Sequence, residues 1–430
     1  MRVPSGRHGQ GGSGACGPAT TANRKTYKPR ACIVVALPMH ATPRWSGKRT
    51  EGGFPLSPRN ERVPDVRKIA VLRANALGDF LFVLPALDAL RAAYPDAEIT
   101  LLGSAWHADL LRDRPGPVGR VVTLPVIRGV NTTHDGPEDL ALSEAFYDAM
   151  RQECFDLAVQ MHGGGRFSNP LIARLGARVT LGLKTPDAAP LDRVMPYIYY
   201  QSEVVRYLEL VVRVGAAPVT LEPRLAVTAS DLAEADAVLP PGPEPLVALH
   251  PGASDPRRRW PPAHFAAVGD ALAASGMRVV VTGTDAERDL TAAVVRGMTA
   301  PALNLCGRLS LCGLTGVLSR CAVMVANDTG PLHLAGAVGT PSVGIYWVGN
   351  ALTAGAPTRT DHRPLIAWRL DCPVCGTNCI AGRCDHRDSF VADVSVAEAV
   401  SAAQDLLAMG HESGETNVEG GFTNVKNRIG

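Results

Sequence analysis

A carboxylate follows a glycine turn near the start of the chain, at residues 75–79 (NALGD). Gly78 lets the backbone approach a neighbouring group closely because it has no Cβ atom. Asp79 could cap the helix that follows, since Asp is a preferred capping residue. It could also accept a proton from an attacking hydroxyl group, as a general base does. The spacing leaves both roles open.

Small residues and arginines come together in a second loop, which reads HPGAS at 250–254 and RRRWP at 257–261. The small residues, Ser254 among them, allow backbone N–H groups to come near a ligand. Arginine binds phosphate through paired hydrogen bonds, so Arg258 and its neighbours could hold a phosphate group. A solvated basic loop would have the same composition, and this alternative stays open.

A third loop, NDTGPLH at residues 327–333, lies where a strand passes into a helix. The backbone N–H groups at Thr329 and Gly330 would form an anion site at the start of that helix. Asp328 could bind sugar hydroxyls or cap the helix. His333 lies one turn further on, where a lone histidine is more often structural than functional.

Each loop follows a short apolar run that is typical of a buried parallel strand. The strands are predicted at residues 68–73, 98–103, 121–124, 157–160, 246–250, 278–282, 322–326 and 342–346, and the helices at residues 79–93, 229–238, 262–275, 311–320 and 332–338. Pro85 should kink or delay the first helix. Strands that alternate with helices predict doubly wound parallel sheets, which bind ligands at the carboxyl ends of their strands.

The pattern restarts after the break PPGPEP at 240–245, which predicts two α/β units at residues 67–240 and 241–410. Residues 1–66 and 411–430 are expected to be a disordered extension and a disordered tail, because they lack a sustained apolar period. The apolar segment 31–39 could be a secretory signal, but an extension ahead of a cytoplasmic enzyme is favoured.

Composition excludes some classes of function. The net charge is only +2 and aromatic residues are 5% of the 430, so we expect no nucleic-acid partner. The sequence has no P-loop, no clear G-x-G-x-x-G fingerprint and no D-x-D pair to hold a divalent ion. We therefore expect metal-free chemistry without a required cofactor, in which cationic side chains and helix N-termini stabilise a leaving diphosphate.

Together the three loops resemble glycosyltransferase family 9, the heptosyltransferases. The resemblance covers about residues 68–407 and rests on VLRANALGD at 71–79 with LPAL at 84–87, HPGAS with RWP at 259–261, and NDTGPLH. It implies the α/β fold of GT-B type, with two Rossmann-like domains whose parallel sheets face a central cleft. The acceptor would lie in the domain 67–240 and the donor in the domain 241–410.

The resemblance also implies roles for single residues. Asp79 falls on the catalytic base of an inverting, metal-independent transfer. Arg258 falls on a donor-phosphate lysine, and this departure keeps the charge but not the geometry. Glu287, four residues after Gly283, falls on a ribose ligand. The implied donor site comprises Gly78, Ser254, Arg258, Glu287, Asp328, Thr329, Gly330 and His333. On the acceptor side, His162, Arg166 and Lys184 are candidates that match no family motif.

Four of the ten cysteines lie within thirteen residues, at Cys372, Cys375, Cys379 and Cys384. The family has a cysteine-bearing segment near this place. With His386 nearby, the four could form a structural zinc site, although the spacing is irregular for one. Reduced cysteines packed in the core are the favoured alternative, and disulfides are a third.

The predicted function is transfer of a sugar, heptose by resemblance, from a nucleotide diphosphate donor such as ADP-heptose to a saccharide or glycolipid acceptor in lipopolysaccharide biosynthesis. We expect a cytoplasmic enzyme, with contact to the inner membrane surface left open. Two alternatives remain: a sugar-nucleotide epimerase of the same fold, and a non-catalytic module that binds nucleotide sugars.

Overall fold

The computed structural model describes residues 60–132 and 138–415, the last six of them as backbone only. The described part alternates strands and helices throughout. In chain order the elements are β1 (Lys68–Leu72), α1 (Leu77–Leu81), α2 (Leu84–Ala93), β2 (Glu98–Gly103), α3 (Ala105–Leu111), β3 (Arg120–Thr123), α4 (Leu140–Gln152), β4 (Leu157–Gln160), α5 (Ser168–Arg174), β5 (Val179–Lys184), β6 (Arg193–Pro196), α6 (Glu203–Val212), α7 (Ala229–Val238), β7 (Leu246–His250), α8 (Pro262–Ala274), β8 (Arg278–Val281), α9 (Arg288–Gly297), β9 (Ala302–Asn304), α10 (Leu311–Ser319), β10 (Cys321–Asn327), α11 (Gly330–Ala337), β11 (Ser342–Trp347), α12 (Val348–Ala354), β12 (His362–Ala367) and α13 (Val396–Glu415).

The strands form two parallel sheets of six strands each. The first has the order β3-β2-β1-β4-β5-β6, and the second has the order β12-β11-β10-β7-β8-β9. The central strands β1, β4 and β7 are buried along almost their whole length, because helices cover both faces of each sheet. The predicted doubly wound parallel architecture is therefore confirmed, while the boundary at residue 240 remains a prediction.

Each sheet has a point at which the strand order reverses. In the first sheet this point lies between β1 and β4, and in the second it lies between β7 and β10. The loops that leave neighbouring strands diverge there and open a crevice, which is where such sheets bind ligands. The three loops singled out in the sequence follow β1, β7 and β10, so all of them lie at these two crevices.

Pro85 divides the predicted helix 79–93 into two. Helix α1 ends at Leu81, and α2 begins at Leu84 with Pro85 in its first turn. Proline fits there because the first helical N–H groups have no intrahelical partner. The interruption leaves α1 only five residues long, so its N-terminal turn and Asp79 stay close to the end of β1.

Ordered packing begins earlier than the predicted residue 68. Val63 is buried and its N–H donates to the Tyr94 hydroxyl over 3.0 Å, and Val66 is also buried. These apolar side chains fix residues 60–66, which sequence composition alone had assigned to the extension. Residues 1–59, including the apolar segment 31–39, lie outside the described residues. Helix α13 passes the predicted start of the tail at 411, and residues 416–430 lie outside the description.

The buried apolar side chains form three clusters, and the largest spans both halves. It joins Leu81 and Leu87 from the first half with Leu332 and Ala335 of α11 from the second. Separate clusters cover the outer faces of the sheets, and the one on the second sheet includes Leu406 of α13. Within the described residues, no helix has both the length and the apolarity required to cross a bilayer.

Glycines bring the first turns of α1 and α11 into contact. A Cβ atom on Gly330 would lie 3.0 Å from Cβ of Leu77 and 3.3 Å from the backbone nitrogen of Gly78. A Cβ atom on Gly78 would in turn lie 3.0 Å from Cδ2 of His333. Only residues without a side chain allow the two turns to approach this closely.

Gly330→Ala should therefore destabilise the protein, because the new methyl group meets backbone and Cβ atoms that cannot move aside. Overpacking of this kind typically costs about 1–3 kcal/mol. Gly336→Ala in the same helix is the matched control, since its Cβ atom would meet nothing within 4 Å. This second change should stabilise α11 by about 0.5–1 kcal/mol. Urea unfolding would measure both, and equal effects of the two substitutions would contradict the close contact.

Two buried histidines make stability depend on pH. Burial lowers the pKa of His107 to about 4, and burial with the charge of Arg73 lowers the pKa of His162 to about 4. Both accept a backbone hydrogen bond at Nδ1, from Ser104 and Ala74 respectively. The folded state therefore favours their neutral form, whereas an unfolded histidine has a pKa near 6.5.

The free energy of unfolding should thus be highest above pH 6.5 and should fall as the pH drops toward 4, because the unfolded chain binds the extra protons. His162 alone accounts for a loss of roughly 2 kcal/mol between pH 7 and 4.5. In His162→Gln this contribution is absent, so the difference between wild type and variant should shrink as the pH falls. A difference that stays constant with pH, measured by urea unfolding, would rule out a neutral His162.

Candidate functional site

Asp79 lies inside helix α1 and does not cap it. The N-cap residue is Ala76, and no side chain makes a capping hydrogen bond there. The capping role that the sequence left open is therefore wrong, because Asp79 is the third helical residue. Its side chain is 37% exposed. The helix fixes the backbone of Asp79, and its carboxylate remains accessible to a substrate.

Arg73 fixes the position of Asp79. Its Nε donates to the backbone oxygen of Asp79 over 2.8 Å, and its Nη2 lies 3.2 Å from Oδ1 of the same residue. Its Nη1 donates to the Met161 carbonyl and to the Tyr207 hydroxyl, both over 2.6 Å. The guanidinium is almost completely buried. Sequence reasoning missed this role, although a charged residue just after a buried strand was the available signal.

The three candidate acceptor residues are differently placed. His162 lies beside the first loop, where its Nδ1 accepts from the N–H of Ala74 over 3.3 Å. Arg166 is largely exposed and lies 3.6 Å from a carboxylate oxygen of Asp187. Lys184 ends β5. Among the described contacts, only His162 touches the loop that carries Asp79.

Arg258 connects the second loop to the third. Its Nη1 donates to Oδ2 of Asp328 over 3.0 Å and to the Asp328 carbonyl over 3.2 Å. Its Nη2 donates to Oγ of Ser254 over 2.9 Å. The neighbouring Arg257 pairs with Asp255, and Arg259 donates to the Ala253 carbonyl. The arginine side chains are therefore held by defined partners, whereas phosphate binding at this loop remains a prediction.

Asp328 is the buried centre of this ionic network. Its side chain is 2% exposed, and its Oδ1 lies 3.1 Å from Nε2 of His333. Burial alone would raise the pKa of Asp328, but the hydrogen bond from His333 and the charges of His333 and Arg258 outweigh it, so the pKa lies below its usual value. Asp328 does not cap α11, whose N-cap residue is Thr329 without a side-chain bond.

Asn327 and Trp260, which are both buried, hold the second and third loops together. Asn327 accepts the backbone N–H of Trp260 over 2.9 Å and donates to the Pro251 carbonyl over 2.8 Å. The indole N–H of Trp260 donates to the Val394 carbonyl, so the second loop is also tied to the segment before α13. Both residues belong to the sequence motifs, but nothing in their types or spacing indicates this contact.

Glu287 lies beside His250. Its Oε2 accepts from the N–H and the hydroxyl of Thr284 and lies 4.0 Å from Nε2 of His250. Gly252 makes room for it, because a Cβ atom there would lie 1.9 Å from Oε1 of Glu287. Burial lowers the pKa of His250, although the negative charge of Glu287 opposes this. The carboxylate thus lines the turn after β7.

The contact between α1 and α11 joins these groups across the two halves. The ring of His333 lies 4.6 Å from that of Phe82, measured between centroids, and approaches Gly78. The network of Ser254, Arg258, Asp328 and His333 thereby adjoins the turn that carries Asp79. Thr329 and Gly330 lie at the N-terminus of α11, whose first N–H groups have no partner within the helix.

A cavity of about 1100 Å³ opens next to this network. It is lined by side chains from both halves: Tyr199 and Tyr200 come from the first, and Trp347 and Asn350 come from the second. Ser254 and Arg258 belong to both the cavity wall and the ionic network, while Asp79 is not part of the lining. The polar wall and the half-buried guanidinium of Arg258 suit an anionic ligand.

The cysteine segment forms another part of the cavity wall, at residues 379–387. The described thiols at Cys372, Cys375, Cys379 and Cys384 are all free, so the disulfide alternative is wrong. Only Cys372 is buried, and Cys375 is exposed. The favoured alternative of core cysteines therefore fits one of the four. Cys372, Cys375, Cys384 and His386 have ligand atoms within 4.8 Å of one another.

Comparison with known families and relatives bears on the chemistry. The model of glycosyltransferase family 9 (heptosyltransferase) matches residues 144–362, just over half of the chain. Lipopolysaccharide heptosyltransferase 2 of Salmonella typhimurium is 27% identical over 298 residues, which span 65% of this chain and 82% of that protein. Lipopolysaccharide heptosyltransferase 1 of Pseudomonas aeruginosa is 26% identical over 303 residues, or 68% of this chain and 82% of that protein.

Solved structures share the fold. A family 9 glycosyl transferase from Veillonella parvula superposes with a TM-score of 0.67 at 18% identity, over 80% of this chain and 98% of that one. The ADP-heptose lipopolysaccharide heptosyltransferase II of Escherichia coli superposes with a TM-score of 0.64 at 20% sequence identity, over 80% of this chain and 99% of that one. A second Escherichia coli heptosyltransferase, solved with ADP, superposes with a TM-score of 0.55 at 22% sequence identity, over 70% of this chain and 93% of that one. The GT-B fold expected from the sequence is confirmed.

The matched residues include Arg258, Asp328 and His333, whereas Asp79 precedes them. The match to this family favours a sugar transferase over the two alternatives, a sugar-nucleotide epimerase and a non-catalytic binding module. The chain belongs to glycosyltransferase family 9, and it is a glycosyltransferase.

Proposed function

We propose that the protein transfers heptose from ADP-heptose to a saccharide of the lipopolysaccharide core, with inversion at the anomeric carbon. The observation that carries this proposal is the ionic network of Ser254, Arg258, Asp328 and His333 beside the turn of Asp79. Such a site combines a carboxylate base with a fixed arginine that can bind a diphosphate. The relatives named above act in heptose transfer, which supports this donor.

The reaction we propose is a single in-line displacement. The acceptor hydroxyl gives its proton to the carboxylate of Asp79, and its oxygen forms a bond to the anomeric carbon. The bond from that carbon to the diphosphate oxygen breaks, and its electron pair leaves with ADP. Arg258 and the first N–H groups of α11, at Thr329 and Gly330, stabilise the negative charge of the leaving group.

The two halves would have different substrates. We propose that the acceptor binds to the half that carries Asp79 and His162, and that the donor binds to the half that carries Arg258. Glu287 would hold the ribose beside Gly252. The transfer would need no divalent ion, because Arg258 and the helix N-terminus supply the positive charge. A glycolipid acceptor implies contact with the cytoplasmic face of the inner membrane, and the free thiols fit a reducing compartment.

The burial of Asp328 refines its role. We had expected its carboxylate to hold hydroxyls of the transferred sugar. Its two oxygens already lie within hydrogen-bond distance of Arg258 and His333, and only 2% of the side chain is exposed. We therefore propose that Asp328 positions those two side chains, and that its removal weakens the diphosphate site itself.

Asp79→Asn should lose turnover by about 10²- to 10⁴-fold and keep its affinity for the donor, because an amide cannot accept the proton. Asp96→Asn is the control, since Asp96 is an exposed aspartate in the same half that pairs only with Arg67 in the described structure. Release of ADP and formation of the glycosylated product would be measured without added Mg²⁺ or Mn²⁺. Activity within about threefold of wild type would exclude Asp79 as the base.

Arg258→Ala should weaken the binding of ADP as well as of ADP-heptose, because a charge-assisted hydrogen bond to phosphate does not need the sugar. Each such bond contributes roughly 1.5–3 kcal/mol, which corresponds to about a 10- to 100-fold change in affinity. Asp328→Asn should have a similar effect on both ligands, since it loosens Arg258. Titration calorimetry measures the four affinities, with circular dichroism to establish folding.

Unchanged ADP affinity in Arg258→Ala would overturn the donor-site assignment. Arg296→Ala is the control here, because Arg296 lies in the last turn of α9 and contacts neither loop in the described structure. A loss of donor affinity in Asp328→Asn with normal ADP affinity would instead restore the direct contact between Asp328 and the sugar.

A further inference from the structure

The cysteine segment between β12 and α13 brings four ligand atoms together. The thiols of Cys372, Cys375 and Cys384 and a ring nitrogen of His386 all lie within 4.8 Å of one another. Cys372 and Cys375 form one pair, and Cys384 and His386 form the other. Eight residues separate the two pairs in the sequence. Convergence of three thiols and one imidazole on a single point is the arrangement of a metal site.

The backbone around the first two cysteines has the form of a metal-binding turn. The N–H of Gly376 donates to the Cys372 carbonyl over 3.0 Å, and the N–H of Cys372 donates to the Thr377 carbonyl over 2.8 Å. Gly376 has a φ angle of +70°, which side-chain-bearing residues rarely adopt. The tight turn places the thiols of Cys372 and Cys375 side by side.

Few packing contacts hold residues 373–389, the part of the segment that carries Cys375, Cys384 and His386, since none of these residues is buried. Its only described ladder contact is the isolated bridge between Asp371 and Asn378. Val374 is 55% exposed and Cys375 is also exposed, so the turn contributes few side chains to a core. Segments without a core of their own often depend on a metal ion, whose binding energy then contributes directly to folding.

We propose that Cys372, Cys375, Cys384 and His386 bind one structural Zn²⁺ ion. Three thiolates and one imidazole make a complete tetrahedral set, which leaves no open position for a substrate. Cys379 is excluded from the set, although its Sγ lies 3.8 Å from that of Cys384. The ligand set thus differs from the four cysteines that the spacing alone had suggested, with His386 in place of Cys379.

The ion would order one wall of the cavity. Residues 379–387 line it together with Ser254 and Arg258. Two hydrogen bonds tie the end of the segment to the arginine loop: the N–H of Phe390 donates to the Arg257 carbonyl over 2.7 Å, and Oγ of Ser389 donates to the Arg259 carbonyl over 2.6 Å. This consequence rests on the proposed donor site, whereas the metal site does not.

The test is the metal content of the full-length chain, expressed without a metal-binding tag and measured by plasma mass spectrometry. We expect one zinc per chain in the wild type. Cys375→Ser, Cys384→Ser and His386→Ala should each reduce the zinc content at least fivefold after dialysis. Cys379→Ser and Cys154→Ser should retain one zinc, the latter as a control with an exposed thiol elsewhere.

A second measurement uses only the wild-type chain, so it gives a result even where a variant does not fold. Cobalt introduced into the wild-type chain should give the visible absorption of a tetrahedral thiolate site, and added zinc should abolish it. A zinc-free wild type, or iron in place of zinc, would overturn the proposal. Loss of zinc in Cys379→Ser with retention in His386→Ala would replace it by the four-cysteine site. None of these outcomes depends on transferase activity, so they stand whether or not the donor is ADP-heptose.

Discussion

The contact between the first turns of α1 and α11 determines how the two halves of the enzyme meet. A Cβ atom on Gly330 would lie 3.0 Å from Cβ of Leu77, and a Cβ atom on Gly78 would lie 3.0 Å from Cδ2 of His333, so a side chain at either position would crowd the opposite turn. Asp79 follows one of these glycines directly, and Asp328 precedes the other by two residues. The turn of Asp79 therefore lies close to the network around Asp328, because neither turn has a Cβ atom at the point of contact.

Buried charges add positional precision to this contact. Arg73 reaches Asp79 from the end of β1, and Arg258 reaches Asp328 from the loop after β7. Burial of such pairs costs desolvation free energy, so their contribution to stability is small or unfavourable. Such pairs hold their groups in one geometry, and in the proposed reaction groups held in place would need no reorganisation when charge develops. Outside the site, the buried pair of Arg114 and Asp231 ties the segment after α3 to α7.

The part of the cavity wall formed by the cysteine segment is held in place differently from the three loops of the site. The loops after β1, β7 and β10 are anchored to buried strands, whereas residues 373–389 of the cysteine segment include no buried side chain. A bound ion can replace hydrophobic packing in such a segment, because one centre cross-links residues far apart in the chain. The wall next to Arg258 would then depend on metal rather than on burial.

The sequence by itself determined the alternation of strands and helices, the two sheets and the three loops at their carboxyl ends. Apolar runs and turn residues are local signals, and strands such as β7 and helices such as α7 were predicted with their observed bounds. Weaker strands, among them β6 and β9, carried too few apolar residues to be noticed. The early start at Val63 was missed because its burial depends on a distant tyrosine.

Only the tertiary structure decided what each candidate residue touches. Asp79 and Asp328 looked like helix caps, and the bounds of α1 and α11 excluded this role. Arg73, Asn327 and Trp260 acquired their roles through partners that are far away in sequence. The choice of His386 over Cys379 likewise followed from distances between side chains. Residue types and spacing thus define which chemistry is available, whereas contacts between distant segments select the groups that can perform it, because such contacts leave no periodic trace in the sequence.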